Sequence, residues 1–169
     1  MDDSRRELEF RVVKTPTVDD IDLIPLSLIV NNEWISEKNC KYPQELIVEL
    51  RREANIEKLQ LLCHKFFVAS KIELFAGHSY ISYRSATWKQ LGTVTLKETK
   101  SRADKHELKT VYLDEKCTAL RLLLHQNYAH RENNPDNQVG LVQLRLSGQA
   151  VPGSRELASF KYVEGSNKR

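Results

Sequence analysis

The sequence predicts an all-β domain of the jelly-roll β-sandwich kind. Short apolar stretches of strand length recur between polar turns, and the clearest of them alternate apolar with polar residues. Few segments carry helical periodicity. Long connections such as 79–91 and 127–137 do not fit a simple meander, which favours a jelly roll.

Taken in order, strands are expected at 9–13, 45–50 and 58–64, then at 71–76, ending on Gly77. Later strands are expected at 92–96, 108–113, 119–125 and 138–146, the last closed by Gly148. In that last strand Leu144 and Leu146 alternate with Gln143 and Arg145, so one face is buried and the other wet. The stretch 21–30 is apolar without a clear period, and the loop after it carries Trp34. Residues 51–55 read as one helical turn between two strands. The link 65–70 holds Phe66, Phe67 and Val68 and is expected to pack against the core. The organisation that follows is a polar extension over 1–8, a jelly roll over 9–148 and a linker or tail over 149–169.

At 169 residues, 40% hydrophobic and 29% charged, the chain suits one globular domain with its own core. No apolar run approaches the ~20 residues that cross a bilayer, so no membrane partner is expected. The first residues are polar and of mixed charge, unlike a secretory signal, which points to a cytoplasmic protein. The three cysteines, Cys40, Cys63 and Cys117, are odd in number and far apart, against both a disulfide framework and a zinc site. Cys63, in an apolar run, reads as a core residue.

Motifs of catalysis are missing: there is no GxSxG, no P-loop and no GxGxxG, so no enzyme and no cofactor are expected. The histidines never fall at two- or four-residue spacing. His64 and His125, at strand ends, read as structural groups bonded to nearby backbone, with a ligand-facing role as the alternative. Asp19, Asp20 and Asp22, or Asn133, Asn134 and Asp136, lack the spacing of a compact calcium loop and read as turn formers. No metal is expected.

What remains is binding. Trp34 and Trp88 either cap the core or help to form a pocket at one end of the sandwich, where Arg84 supplies a fixed positive charge. The loop 97–107 is basic but interleaved with acids. It is either a solvated loop or, through Lys100, Arg102 and Lys105, a contact for an acidic peptide. A net charge of +3 and the lack of aromatic platforms beside this loop argue against nucleic acid.

Several blocks carry a family resemblance: Pro43-Gln44-Glu45-Leu46, Ile56 through His64, Ser70-Lys71-Ile72-Glu73, Leu91 through Leu96, Glu107 through Asp114, His125-Gln126-Asn127 and Asn137-Gln138-Val139. In this order, from about Phe10 to Gly148, they resemble the N-terminal domain family of the 104-kDa centrosomal protein. The resemblance implies a galactose-binding or discoidin-like jelly roll in a microtubule-associated protein of centrosome, centriole and ciliary tip. In that family a coiled coil, tubulin-binding helical repeats and zinc fingers follow, so the chain is expected to be an N-terminal piece. The segment 21–30 and the tail after Pro152 depart from the family pattern.

The function expected is a non-catalytic protein-interaction domain contacting ciliary or centriolar proteins through Trp34, Arg84, Trp88, Lys100, Arg102 and Asn127. An acidic partner such as a tubulin tail fits the positive charge. A carbohydrate-binding module and a structural or oligomerisation scaffold are the alternatives.

Overall fold

The computed structural model describes residues 6–17, 34–98, 106–128, 132–158 and 160. Among them are eight strands: β1 (Arg6–Glu7), β2 (Phe10–Lys14), β3 (Trp34–Ile35), β4 (Gln44–Cys63), β5 (Lys71–His78), β6 (Thr87–Thr95), β7 (Leu108–Leu124) and β8 (Gly140–Ala150). Every pairing between them is antiparallel. The expected all-β sandwich is the fold observed.

Two long strands build both layers. In its first half, up to Glu49, β4 lies between β2 and residues 119–124 of β7, and that half of β7 continues the layer to β5 and β6. From Ala54 onward β4 lies between residues 108–117 of β7 and β8, with β1 and β3 on the outer side of β8. Both strands therefore pass from one layer into the other at the same place, where residues 50–53 of β4 stand opposite the single residue Thr118. Surplus residues on one strand, here four against one, bend it and raise its twist.

Parity records the bend. In β7 the buried core positions are odd up to Cys117 and even from Leu120 through Leu122 to Leu124, switching at Thr118. In β4 the core positions 54 and 56 give way to 59, 61 and 63 across a second bulge at Glu57. A one-residue slip turns a strand's faces over, so these bulges keep apolar side chains pointed at the same core. Phe10, Val12, Leu46, Val48 and Leu122 of one layer face Trp34, Leu141 and Leu144 of the other.

The helical turn expected at 51–55 is replaced by this corner. Its polar residues, Arg51, Arg52 and Glu53, suggested a helix because they break the strand alternation; they break it because the strand is changing layers. The separate strands expected at 45–50 and 58–64 are likewise one element, as are those at 108–113 and 119–125. The last strand runs past Gly148 to Ala150. A Cβ at Gly148 would lie 2.0 Å from the Asn55 carbonyl oxygen, so glycine there permits a close approach of β4 instead of ending the strand. The apolar stretch 21–30 lies outside the described residues.

On the outer face of the first layer, Glu45 of β4 joins its two neighbours. Lys14 of β2 reaches Oε1 at 2.6 Å and Arg121 of β7 donates to Oε2. Burial works to raise the Glu45 carboxyl, but the two cations outweigh it and hold it below its ordinary value. Because the folded-state value lies below the unfolded one, the contribution is present above the ordinary carboxylate range and lost as pH falls through the folded value. Glu45→Gln is expected to cost about 1–3 kcal/mol at neutral pH and to flatten the acid limb of stability, measured by urea unfolding from neutral to acid pH.

Candidate interaction surface

The sequence-selected residues fall at opposite ends of the sandwich. β5 runs from Lys71 to His78, with Ile72 beside Leu124 near its start and Gly77 beside Ala119 near its end. Asn127 bridges to Ala69 just before the start of β5, while Arg84 lies in the β5–β6 loop beyond its end. Trp34 belongs with Asn127, since β3 pairs with Gly140 and Leu141 at the start of β8. Trp88 belongs with Arg84. Lys100, Arg102 and Lys105 lie outside the described residues, so their place relative to either end is not described.

Trp34 is 6% exposed and belongs to the core, filling the space between the layers beneath β8. Asn127 is spent on structure: its amide donates to Asn137 Oδ1 at 3.0 Å and to the Gln138 carbonyl at 2.9 Å. Tyr42 donates to the same Asn137 Oδ1 at 3.1 Å, and burial pushes its hydroxyl well above the ordinary phenol range. Asn134 accepts from the Gln138 N–H and donates back to its carbonyl, while Lys38 pairs with Asp136 at 3.0 Å. Of the residues expected to form turns, Asn134 ties one together through Gln138. The two end-of-strand histidines differ. His64 Nδ1 accepts from the backbone of Phe66 and Phe67, whereas His125 Nε2 lies 2.7 Å from the Glu73 carboxylate. Cys63 and Cys117 are core residues, their thiols pushed up to about 12, chiefly by burial.

The opposite end is organised differently. Trp88, expected in a loop, stands on β6 opposite Gly77, and its ring lies over that glycine: a Cβ there would come within 2.6 Å of it. The connection is therefore short, 79–86, and internally bonded. Ser79 N–H donates to Thr118 Oγ1 at 2.9 Å, and Ser79 Oγ accepts from the N–H groups of Ile81 and Ser82. Ser82 caps a 3₁₀ turn at Tyr83–Ser85 by accepting from Arg84 N–H. The Tyr83 N–H reaches Glu49 Oε2 at 3.1 Å, and the Arg84 guanidinium lies 5.1 Å from the Tyr83 ring centroid.

Fixed by these bonds, the loop holds two apolar side chains in solvent: Tyr80 is 73% and Ile81 80% exposed. Sequence reading passed over both. Their signal was an apolar pair enclosed by Ser79 and Ser82, where turn chemistry rules out a strand. Beneath them is Glu53, 7% exposed, at the corner of β4. Tyr80 donates to the Glu53 carboxylate, and that bond, with the carboxylate's charge, raises the Tyr80 hydroxyl above its ordinary value.

Among known proteins, the family described as "Centrosomal protein CEP104, N-terminal domain" matches residues 33–148. The chain belongs to this family. The "Centrosomal protein of 104 kDa" of Mus musculus is 35% identical over 120 residues, covering 68% of this chain and 13% of the relative. The Homo sapiens protein of that name is 34% identical over 128 residues, 73% of this chain and 14% of the relative. The chain thus spans about one seventh of the length of these curated relatives. The family match begins just before β3, so β1 and β2 lie outside it.

Solved structures of the same fold include a family 32 carbohydrate-binding module of C. perfringens NanJ in complex with galactose. It has TM-score 0.58 and 13% identity, covering 85% of this chain and 98% of that one. The N-terminal domain of the single-strand break repair protein XRCC1 has TM-score 0.61 and 15% identity, covering 83% and 97%. Identities this low carry the fold and nothing further.

The packing of Trp88 on Gly77 yields a direct check. Gly77→Ala is expected to displace the ring, to cost about 1–3 kcal/mol, and to raise acrylamide quenching of Trp88 while buried Trp34 stays protected.

Proposed function

We propose that this domain of a centrosomal protein family is a non-catalytic protein-interaction module that meets its partner at the corner end of the sandwich. The observation that carries the reading is the rigid display of Tyr80 and Ile81. Two adjacent apolar side chains are held in water by a loop whose backbone and serines are tied to Thr118, Glu49 and each other. A preorganised apolar tip loses little entropy when it is covered, and tyrosine is among the residues enriched in interface hot spots. Arg84 beside the tip and half-buried Trp88 behind it extend this surface with two of the residues singled out in the sequence.

An acidic partner such as a tubulin tail would draw on Arg84 at this end, and on Lys100 and Arg102, which lie outside the described residues. That version predicts retention of the chain on tubulin-tail peptides that weakens as salt rises. Salt-insensitive retention, or none, removes the acidic partner while leaving the apolar tip in place.

The tip itself is tested in ciliated cells with the tagged chain. Tyr80→Ser together with Ile81→Ser is expected to abolish recruitment to the centrosome while the variant stays folded, its unfolding midpoint lowered modestly by loss of the Tyr80–Glu53 bond. Undiminished recruitment of the folded double variant overturns the reading.

A further inference from the structure

Beneath Tyr80 lies a cavity of about 560 Å³, lined by Glu53 of the corner and by residues 151–158 of the segment after β8. Three buried side-chain polar atoms among the described residues have no hydrogen-bond partner: Glu53 Oε2, Ser154 Oγ and Glu156 Oε1. All three belong to residues that line this one cavity.

Each is an acceptor of hydrogen bonds, and two carry negative charge. A buried carboxylate oxygen without a partner is costly, and native structures keep such groups rare. Three arginines border the cavity, and none of them reaches Glu53. Arg51 donates to Glu9 at 2.7 Å and forms a 3.5 Å ion pair with Glu156 Oε1, which offsets part of that charge and leaves Glu53 as the uncompensated carboxylate. Arg52 donates to the Ser154 carbonyl at 2.9 Å. Arg155 is exposed at the rim. Nothing among these contacts reaches Glu53 Oε2, which sits on a side chain more than nine-tenths buried.

We infer that the cavity is a receptor for one arginine side chain of a protein partner. The guanidinium carries five donors in a planar fork, no acceptor and a permanent charge. It suits a site that offers several separate acceptors and buried negative charge. Tyr80 forms the lip of the cavity, so a partner covering the apolar tip can lower an arginine beside it. The inference rests on the reading of this end as a protein-contact surface, and gives that surface its chemistry.

The probe is Nα-acetyl-arginine amide, titrated into the whole ¹⁵N-labelled chain, with the isosteric, uncharged citrulline compound as control. Saturable shifts are expected at Glu53, Ser154 and Glu156, with citrulline weaker by about tenfold or more. Glu53→Gln is expected to weaken the arginine response by a similar factor, about tenfold, while its unfolding midpoint holds or rises, since an unpaired buried charge is removed. The inference is overturned if arginine gives no saturable shift, if citrulline matches it, or if folded Glu53→Gln responds like the native chain. Recruitment of the two sets of variants separates this claim from the one beneath it. If Glu53→Gln is recruited normally and the Tyr80/Ile81 double variant is not, the surface stands and the arginine site falls. If both are recruited normally, both fall.

Discussion

The structure depends on one constraint: β4 and β7 must turn together from one layer of the sandwich into the other without leaving backbone groups unpaired. At residues 50–53 the ladder to β7 is interrupted, and the polar groups it frees have to find partners elsewhere. They find them in segments distant in sequence. Arg51 N–H donates to the Glu9 carbonyl at 2.9 Å, Val151 N–H to the Glu53 carbonyl at 2.8 Å, and Leu157 N–H to the Arg51 carbonyl at 2.9 Å. The Arg51 guanidinium repeats the pattern with side chains, facing Glu9 on one side and Glu156 on the other. The segment before β2 and the segment after β8 are thereby fastened to the middle of the chain.

The same constraint creates the surface given a function above. Thr118, the lone residue opposite the corner, donates to the Gly77 carbonyl and accepts from Ser79 N–H, which fixes where the β5–β6 loop begins. Glu49, the last paired residue before the corner, anchors the turn that follows Tyr80 and Ile81. Glu53, at the corner's far side, is buried because the segment 151–157 closes over it. Tip and cavity are consequences of one bend. Carbohydrate-binding modules and a DNA-repair domain share the architecture, so the fold leaves the ligand open and the local chemistry of this end has to supply it.

How much of this was legible in the sequence depended on whether the signal was local. Alternation in 138–146 and the apolar runs around Leu61 and Leu74 are local, and they led to the right fold class and most of the right strands. The ordered family blocks led to the right family. The corner was illegible because Arg51-Arg52-Glu53 looks the same in a helical turn as in a bulge; what distinguishes them is Thr118, more than sixty residues away. Trp34 and Trp88 show the same limit. Both are lone tryptophans in mostly polar stretches, yet one fills the core and the other covers a glycine on a neighbouring strand. Glu53 gave no signal, since its burial comes from the segment after β8.

Native-state hydrogen exchange measures directly whether the corner is a fixed part of the native fold. The amides of Arg51, Val151 and Leu157 are predicted to exchange only through near-global opening, with protection comparable to core amides of β4 and β7. Rapid exchange of these three amides, with the two layers still protected, would contradict it.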